Sequence, residues 1–415
     1  MEIILVLKNN HLTRPIVSIG ISQIINWGVL YYSLALIGPK IIAEMHWSDV
    51  FVYSGFSISA IVSGLLSPFS GKAIDRIGGR YVMALGSFIG SVGIFFLSAV
   101  SSMLEYALAW TIIGISMSMC LYDSAFASVA RIAGKATRKA ISSITLLAGF
   151  SSTLTWPATA FLLSINDWRS VLFFYSFLMI FTCVPVLYFG LKDDCITQFN
   201  SDLTNSKSSI KNFDAPELCF PHGIIIKLMA LLAFITAAQG FIANAISVHI
   251  ITFFQEIGLG SYGAILAGSL IGPAQVGARL IELLFGKQLS PIKLGLITVA
   301  VLPISFLVPL VFPTFTITGI IFGLTYGASN GVFTIVRSLI PYSLFGSLGY
   351  GKRLGTLATP TLFVKAIAPA LFGYLLNSTG PHFSLFILFS ISILVSFAML
   401  KLAKIVKDFS PAPAI

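Results

Sequence analysis

The chain has 415 residues, of which 56% are hydrophobic and only 10% are charged, and its formal net charge is +10. So few charged side chains cannot cover the surface of a water-soluble protein of this length, which excludes a soluble enzyme or a soluble binding protein. The composition therefore predicts a protein of the lipid bilayer. Because the hydrocarbon core offers no water to backbone groups, we expect a bundle of helices.

Apolar runs bounded by charges and turn residues predict twelve membrane spans, since each crossing needs about 20 apolar residues. The runs of the first half are 14–38, 49–70, 81–100, 105–130, 140–164 and 169–191. Those of the second half are 223–253, 262–285, 292–312, 315–342, 353–377 and 382–404. We expect an all-α membrane protein with an N-terminal six-helix bundle (1–191), a cytoplasmic linker (192–222) and a C-terminal six-helix bundle with a short cytoplasmic tail (223–415).

The placement of Lys and Arg predicts the orientation of these spans. Most of the basic residues fall in intervals on one side of the predicted bilayer, whereas Lys40 and Arg169 fall on the other. Because cytoplasmic loops collect Lys and Arg, we expect both termini in the cytoplasm and the chain in a plasma membrane, the inner membrane of a bacterium. The net charge follows from this topology, so we expect no nucleic-acid partner. The four cysteines should be free thiols, and residues 1–7 do not resemble a cleavable signal peptide.

A charged stretch of ten residues connects predicted spans two and three and is expected to be a loop. Its sequence is Gly71-Lys72-Ala73-Ile74-Asp75-Arg76-Ile77-Gly78-Gly79-Arg80. The spacing of its Gly, Asp-Arg, Gly and Arg residues resembles the loop between helices 2 and 3 of major facilitator superfamily transporters. The resemblance implies two pseudo-symmetric six-helix bundles, a secondary transporter working by alternating access, and a small-molecule solute. We expect a monomer that uses no cofactor.

In the family that this stretch resembles, the motif's Asp latches the cytoplasmic side of the protein. Carried over, Asp75 would meet the amino end of a helix and pair with a base such as Arg131, which stabilises the outward-open state. The alternative is a solvated turn whose charges only set topology. The other motif residues assigned to gating are Gly71, Arg76, Gly78 and Arg80.

The second half departs from this motif, because residues 277–287 lack the Asp-Arg pair. Arg279 and Glu282 lie three residues apart, so they can satisfy one another on a helix, either as a gating or structural pair or beside a solute. Residues 328–337 repeat the outline of residues 122–131, which indicates an internal repeat. Arg337, the counterpart of Arg131, is therefore also assigned to gating.

Lys365 lies near the middle of predicted span eleven. An ammonium group at that depth costs about 2.5–3.5 kcal/mol on insertion scales unless another group compensates it. Lys365 either binds a carboxylate or another anion as a point charge, or it is structural, in an ion pair with Asp123 or as a hydrogen-bonded lysine. Asp123, in the cytoplasmic half of span four, either takes up a proton and couples transport to the proton gradient, or is an ion-pair partner of Lys365 or of an arginine.

Uncharged polar residues cluster at mid-depth in predicted spans one, seven and ten. They are Gln23, Asn26, Gln239, Asn244, Tyr326 and Asn330. In the resembled family, spans one, four, seven and ten line the cavity, so we expect the set to contribute to solute binding, although any single member can instead bridge two helices. Trp156 and Tyr31 would add an aromatic wall, and His249 is expected to be structural.

Two kinds of sequence feature predict the class of solute. They are basic residues within the spans and family signatures that are absent. Lys365 and Arg279 look like the paired basic positions of oxalate/formate antiporters and related carboxylate carriers. A Gly-Pro signature of drug/proton antiporters is replaced by Trp156-Pro157, and the sugar-porter signature is absent after span six. These features favour an organic anion, including an anionic metal chelate, moved by proton coupling or exchange. Efflux of amphipathic compounds, a lipid flippase and a receptor-like protein remain as alternatives.

A membrane-embedded hydrolase is the alternative outside transport. Residues 327–331 fit the G-x-S-x-G pattern around Ser329, but they lie in an apolar helical run with no His at that depth. With Gly319 and Gly323 they instead predict a ladder of small residues, which either lets two helices approach closely or lets span ten bend. The sequence shows no Cys/His metal cluster and no phosphate loop, so we expect neither enzyme activity nor a metal.

Overall fold

The computed structural model describes residues 10–191, 220–313 and 315–409, and the regular structure in these ranges is helical. Twelve helical segments within them are long and apolar enough to cross a bilayer, which confirms the predicted count and the all-α membrane fold. Most of the predicted linker and two cysteines, Cys195 and Cys219, lie outside the described residues. Cys120 and Cys183 are buried free thiols, as expected.

The helices are numbered here in chain order. Those of the first half are α1 Asn10–Trp27, α2 Leu34–Met45, α3 Asp49–Ile77, α4 Gly79–Ser98, α5 Met103–Cys120, α6 Tyr122–Ala133, α7 Thr137–Ala148, α8 Ser151–Ile165, α9 Trp168–Leu178 and α10 Val184–Gly190. Those of the second half are α11 His222–Ile257, α12 Gly260–Phe285, α13 Pro291–Val311, α14 Thr316–Phe345, α15 Tyr350–Thr379 and α16 Pro381–Phe409.

The chain divides into two units. Unit 1 comprises Met1–Pro216 and Gly346–Thr359, and unit 2 comprises Glu217–Phe345 and Pro360–Ile415. The boundary near residue 216 falls inside the predicted linker. The first turns of α15 group with unit 1, which hydropathy alone gave no reason to expect. Each unit has its own apolar core, one around Trp110 and Tyr175 and the other around Phe254 and Phe322.

Four of the spans in unit 1 are not continuous α-helices. Spans one and six contain π-helical turns, at Gly28–Tyr32 and Met179–Cys183. Span four is interrupted at Leu121, whose backbone is extended (φ −86°, ψ −167°), and span five between α7 and α8. Such interruptions inside a membrane often occur at functional sites, because they free backbone groups and re-aim side chains.

The prediction that residues 71–80 form a loop is wrong. Residues 71–77 are the last turns of α3, and only Gly78 separates this helix from α4. Gly78 has φ 86° and ψ 161°, a conformation that side chains with a Cβ do not adopt without strain. A single glycine therefore reverses the chain, and the charged residues of the motif stand on helical surfaces instead of on a loop.

Glycines of α14 face the backbone of α12 at regular intervals. A Cβ added at Gly323 would lie 2.6 Å from the Ala267 carbonyl oxygen, and one at Gly327 would lie 2.6 Å from that of Ile271. Gly319 and Gly331 make equivalent close approaches one turn to either side. The small-residue ladder thus brings two helices into backbone contact, which was one of the two outcomes predicted for it.

Prolines inside the spans leave carbonyl groups that neighbouring helices satisfy. Pro68 has no N–H for the Gly64 carbonyl, which accepts a hydrogen bond from Thr359 Oγ1 at 2.7 Å. In the same way Pro303 frees the Val299 carbonyl, which accepts from Ser396 Oγ at 2.8 Å. An unpaired carbonyl costs several kcal/mol in hydrocarbon, so each donor compensates for a specific proline.

Candidate functional site

The carboxylate of Asp75 caps the amino end of α15. Its Oδ1 accepts a hydrogen bond from Gly351 N at 2.9 Å, and its Oδ2 accepts one from Lys352 N at 2.8 Å. The first N–H groups of a helix have no intrahelical acceptor and carry the positive end of the helix dipole, so a carboxylate is well placed there. The side chain is half-buried.

Gly71 explains how α3 and α15 come close enough for this contact. A Cβ added at Gly71 would overlap the Gly351 carbonyl, and one added at Gly351 would lie 2.5 Å from the Gly71 carbonyl oxygen. A Cβ at Gly355 would similarly meet the backbone of Ser67 and Pro68. The backbone of α15 therefore lies directly on α3 over two turns.

Arg131 and two basic residues of the motif, Arg76 and Arg80, occupy different surroundings. Arg131 donates through NH1 to the Ile74 carbonyl at 2.9 Å and also to the Asp75 carbonyl, so it binds the C-terminal turn of α3 through the main chain. Arg80 packs over the ring of Tyr188, with 4.1 Å between its Cζ and the ring centroid. Arg76 is exposed. Asp75 and Arg131 are thus brought together, while Arg76 and Arg80 point elsewhere.

Arg279 and Glu282 are buried on α12, each about 5% exposed. Arg279 donates through Nε to the Gly331 carbonyl of α14 at 3.2 Å, next to the glycine ladder. Its NH2 also lies 3.5 Å from Thr334 Oγ1. Arg337 is half-buried further along α14. The Arg279 guanidinium therefore binds the helix that the glycine ladder brings into backbone contact.

Lys365 lies near the middle of α15, in the part that belongs to unit 2. Its side chain runs along α11 at Gly240, where an added Cβ would lie 3.3 Å from both Cγ and Cε of Lys365. Asn244, one turn further along α11, donates through Nδ2 to the Lys365 carbonyl at 3.0 Å. Lys365 is half-buried, whereas Asn244 is only 6% exposed. Both the stem and the backbone of this lysine are therefore in contact with α11.

Three of the predicted solute-binding residues carry a buried polar atom with no hydrogen-bond partner among the described residues. These atoms are Asn26 Oδ1, Gln239 Oε1 and Tyr326 OH. Asn26 donates through Nδ2 to Ser87 Oγ at 3.1 Å, so one end of its amide is fixed and the other is open. Buried polar atoms normally have partners, so each of these can accept or donate one further hydrogen bond.

Gln23, the ring of Tyr326 and His249 make contacts with other groups of the protein. Gln23 donates to the Cys120 carbonyl at 2.7 Å, at the interruption of span four, and accepts from Trp27 Nε1 at 3.1 Å. Tyr326 stacks on Phe322 in the core of unit 2, with ring centroids 5.1 Å apart. Asn330 is half-buried on α14. His249 Nε2 lies 2.9 Å from the Pro369 carbonyl oxygen, consistent with a structural contact.

A cluster of aromatic rings lies on spans one, two, four and five of unit 1. Its members, called the aromatic cluster below, are Trp27, Tyr31, Tyr32, Phe56, Tyr122 and Trp156. The ring centroids lie 4.9 Å apart in the pair Trp27–Tyr122 and 6.0 Å apart in the pair Tyr32–Trp156. Trp156 is 47% exposed, so its ring borders open space. The sequence pointed only to Tyr31 and Trp156, because the rings of the cluster come from four different spans.

Asp123 is the residue that follows Tyr122, a member of the aromatic cluster. Because α6 begins at Tyr122, after the interruption at Leu121, Asp123 occupies the first turn of a helix instead of the middle of one. Free N–H groups and the helix dipole stabilise a negative charge at that position. Asp123 is half-buried.

Trp156 also borders an apolar groove of about 500 Å³ between α2 and α8. The groove is lined by Ala35, Leu36, Ser152, Thr153, Trp156, Pro157 and Ala160. The indole Nε1 of Trp156 donates to the Tyr32 carbonyl at 3.2 Å, so the polar atom of this ring is already satisfied. Its apolar face is left for other contacts.

Twelve spans, a helix-capping carboxylate in the charged motif and polar residues at mid-span define a membrane transporter of the secondary class. The chain belongs to the Major Facilitator Superfamily, whose family model matches residues 19–348. No curated protein sequence matches it. The family confirms the resemblance stated above.

Solved structures that share this fold include two transporters. The human organic anion transporter MFSD10 (TETRAN) has a TM-score of 0.73 and 13% sequence identity, and the match covers 94% of this chain and 99% of that one. The proton:xylose symporter XylE, bound to 6-bromo-6-deoxy-D-glucose, has a TM-score of 0.68 and 14% identity, over 94% of this chain and 96% of that one. At such low identity these similarities establish the fold alone.

Proposed function

We propose that the protein is a secondary transporter of an organic anion, a carboxylate or an anionic metal chelate, with Lys365 as the anion-binding group. The observation that carries the proposal is the position of Lys365, an ammonium at mid-span whose stem lies against Gly240. Such a residue is expensive to insert and usually marks a solute or ion pathway. Gln239 adds a buried oxygen with no partner among the described residues, next to Gly240.

Taken by itself, unit 1 offers the aromatic cluster and Asn26 as proposed solute contacts. An organic anion has an apolar or planar body as well as a charge, and aromatic rings with an exposed face can pack against that body. Asn26 Oδ1 would accept a hydrogen bond from the solute. The two structural relatives, an organic anion transporter and a proton:xylose symporter, support a small polar solute without selecting one.

For coupling, we propose that Asp123 takes up and releases a proton, with exchange of two anions as the competing scheme. The observation that supports this role is its place at the start of α6, directly after the interruption of span four at Leu121. The contact of Asp75 with Gly351 and Lys352 would be the cytoplasmic gate. Breaking it would release the start of α15 from α3.

We further propose that the protein acts as a monomer in a plasma membrane, with both termini in the cytoplasm. The basic residues of the predicted cytoplasmic intervals support this orientation. Cysteine-labelling with a membrane-impermeant reagent at single introduced sites tests it. Labelling of Ser101→Cys in intact cells, with none at Lys72→Cys, is expected, and the reverse pattern would contradict it.

Thermal stabilisation of the purified protein tests the solute class. The ligands are oxalate, citrate, ferric citrate, xylose and tetraphenylphosphonium. A ligand that binds the folded state at 100 times its Kd adds about 2.7 kcal/mol of stability. We expect stabilisation by an anion in the wild type and in Lys352→Ala, whose exposed lysine lies on the same helix, but not in Lys365→Ala. Equal stabilisation of all three proteins would make Lys365 structural.

Efflux of amphipathic compounds is the second candidate function. It is favoured by the apolar groove beside Trp156, which has room for a hydrophobic group of about 500 Å³. Stabilisation by tetraphenylphosphonium alone, lost in Ala160→Phe, which would fill the groove, would select this function over anion transport.

A further inference from the structure

Pro369 interrupts the hydrogen bonding of α15 one turn after Lys365. In an α-helix a carbonyl accepts from the N–H four residues further on, and for Lys365 that residue is Pro369, which has no N–H. The Lys365 carbonyl therefore lacks its ordinary helical donor in the middle of a membrane span. Asn244 Nδ2 supplies one from α11, at 3.0 Å.

Contacts on both sides of this bond hold the same stretch of α15 against α11. His249 Nε2 lies 2.9 Å from the Pro369 carbonyl oxygen, and because a carbonyl only accepts, this nitrogen carries the proton. On the other side, Gly240 leaves just enough room for the Lys365 stem, with 3.3 Å from an added Cβ to Cγ and Cε. Gly240, Asn244 and His249 of α11 thus each contact the stretch of α15 that holds Lys365 and its proline.

Proline-freed carbonyls bound by a neighbouring helix also occur at Gly64 and Val299, where Thr359 and Ser396 are the donors. At those positions the carbonyl belongs to a residue with a small or apolar side chain. Here it belongs to Lys365, so the bond that satisfies the backbone also fixes the residue from which the ammonium projects. Because the direction of a side chain depends on its own backbone, the bond at this carbonyl also bears on the direction of the ammonium.

We propose that Asn244 is the positioning residue of Lys365: its bond to the carbonyl freed by Pro369 sets the direction in which the lysine leaves α15. The inference rests on the proposed function in one respect, because the proposed function is what gives Lys365 a solute-facing role. A displacement of about 1 Å can cost an active site as much as 100-fold in rate, so a donor that fixes the backbone at Lys365 can have a large effect on the placement of its ammonium.

Pro369 supplies the test, because replacing it with Ala restores the N–H that Asn244 substitutes for. In Pro369→Ala the Lys365 carbonyl regains a helical donor, and Asn244 should become dispensable. A purely structural role for Asn244, through contacts other than this carbonyl, predicts no such rescue. A double-mutant cycle between the two positions therefore isolates the proposed bond.

The readout should report the direction of side chain 365 without any solute. In a full-length chain whose four native cysteines are replaced by alanine, Lys365→Cys is labelled with the anionic reagent sulfonatoethyl methanethiosulfonate. We expect Asn244→Ala to slow labelling at least about tenfold, and Asn244→Ala with Pro369→Ala to return the rate to within about threefold. The matched control, Ser396→Ala, removes the equivalent donor from the Val299 carbonyl and should leave labelling unchanged.

An unchanged labelling rate in Asn244→Ala, a loss that Pro369→Ala does not restore, or an equal loss in Ser396→Ala would each overturn the inference. If Asn244→Ala alone does not accumulate but the double variant does, that rescue supports it, and Asn244→Ser then provides the labelling comparison. The outcome of the labelling test does not depend on the thermal-stabilisation experiment with the candidate ligands. A failed labelling test removes Asn244 as positioning residue, whereas anion stabilisation that survives in Lys365→Ala removes the proposed function.

Discussion

Asp75 accepts a hydrogen bond from the backbone N–H of Gly351, with 2.9 Å between Oδ1 and N, although 276 residues separate them in the chain. Its second oxygen binds the next N–H, that of Lys352. The carboxylate of a motif that the sequence predicts to be a loop is therefore an N-terminal cap for a distant helix.

Replacing Asp75 with Asn removes the charge and leaves one acceptor for two N–H groups. We expect a loss of about 1 kcal/mol of stability, because a charged cap at a helix N-terminus contributes about 0.3–1 kcal/mol and its hydrogen bonds are charge-assisted. Solute exchange into proteoliposomes should slow while ligand-induced stabilisation persists. The control is Arg76→Gln, an exposed change in the same motif that should alter neither quantity. Unchanged exchange in Asp75→Asn would remove the gating proposal.

Gly71 and Gly277 occupy equivalent positions in the two halves and should respond oppositely to Ala. A Cβ at Gly71 overlaps the Gly351 carbonyl, while nothing lies within 4 Å of one at Gly277. Gly71→Ala should lower the melting temperature by several degrees and release the start of α15, because backbone cannot move aside as a flexible side chain can. Gly277→Ala should be neutral or slightly stabilising, since Ala favours a helix by about 1 kcal/mol over Gly. Differential scanning fluorimetry in detergent measures both, and equal losses would contradict the packing argument.

Arg169 ties together the ends of spans one, three and six. It binds Glu44 Oε1 at 3.0 Å and donates to the carbonyls of Ser98 and Val100 at 3.0 and 2.8 Å. Arg169→Lys should cost about 1–3 kcal/mol, because an ammonium cannot reach all three acceptors in a fixed geometry. The exposed Lys40→Ala variant is the control, with an expected change within about 0.5 kcal/mol. If Arg169→Lys is as stable as the wild type in thermal unfolding, these bonds contribute little.

Asp167 predicts a dependence of stability on acid pH. Its pKa is lowered, first by the hydrogen bond from the Ser170 hydroxyl and also by the N–H groups of Arg169 and Ser170 at the start of α9. Because the folded pKa lies below the usual value of 3.8, the stabilisation is present above that pH and is lost as the pH falls below it. Melting temperatures of wild type and Asp167→Asn, followed from about pH 6 downward, should converge at acid pH. The group is almost fully exposed, so the difference should be small and reduced by salt.

Hydropathy was enough to predict twelve spans, because each crossing must satisfy its backbone internally and needs a run of apolar residues. The interruption at Leu121 could not be predicted this way, since neither Gly nor Pro marks it. It depends on contacts such as that of Gln23 with the Cys120 carbonyl, between residues 97 positions apart.

For the candidate site, the sequence selected individual residues but not their surroundings. It predicted Asp75 as a helix cap from a family motif, and the contact with α15 is present, yet the gating role stays a prediction. It identified Lys365 by its charge at mid-span, but not the donor that its carbonyl needs. The aromatic cluster went mostly unrecognised, because its rings come from four spans.

The sequence by itself determined the fold class, the number of spans and the residues too costly to place in a bilayer without purpose, because these depend on composition and on local rules of charge and length. The tertiary structure decided which N–H groups Asp75 caps, which helix satisfies the carbonyl that Pro369 frees, and which glycines permit backbone contact. Those outcomes depend on differences of a few tenths of an ångström in the separation of helices that lie far apart in the chain. No local pattern encodes such differences.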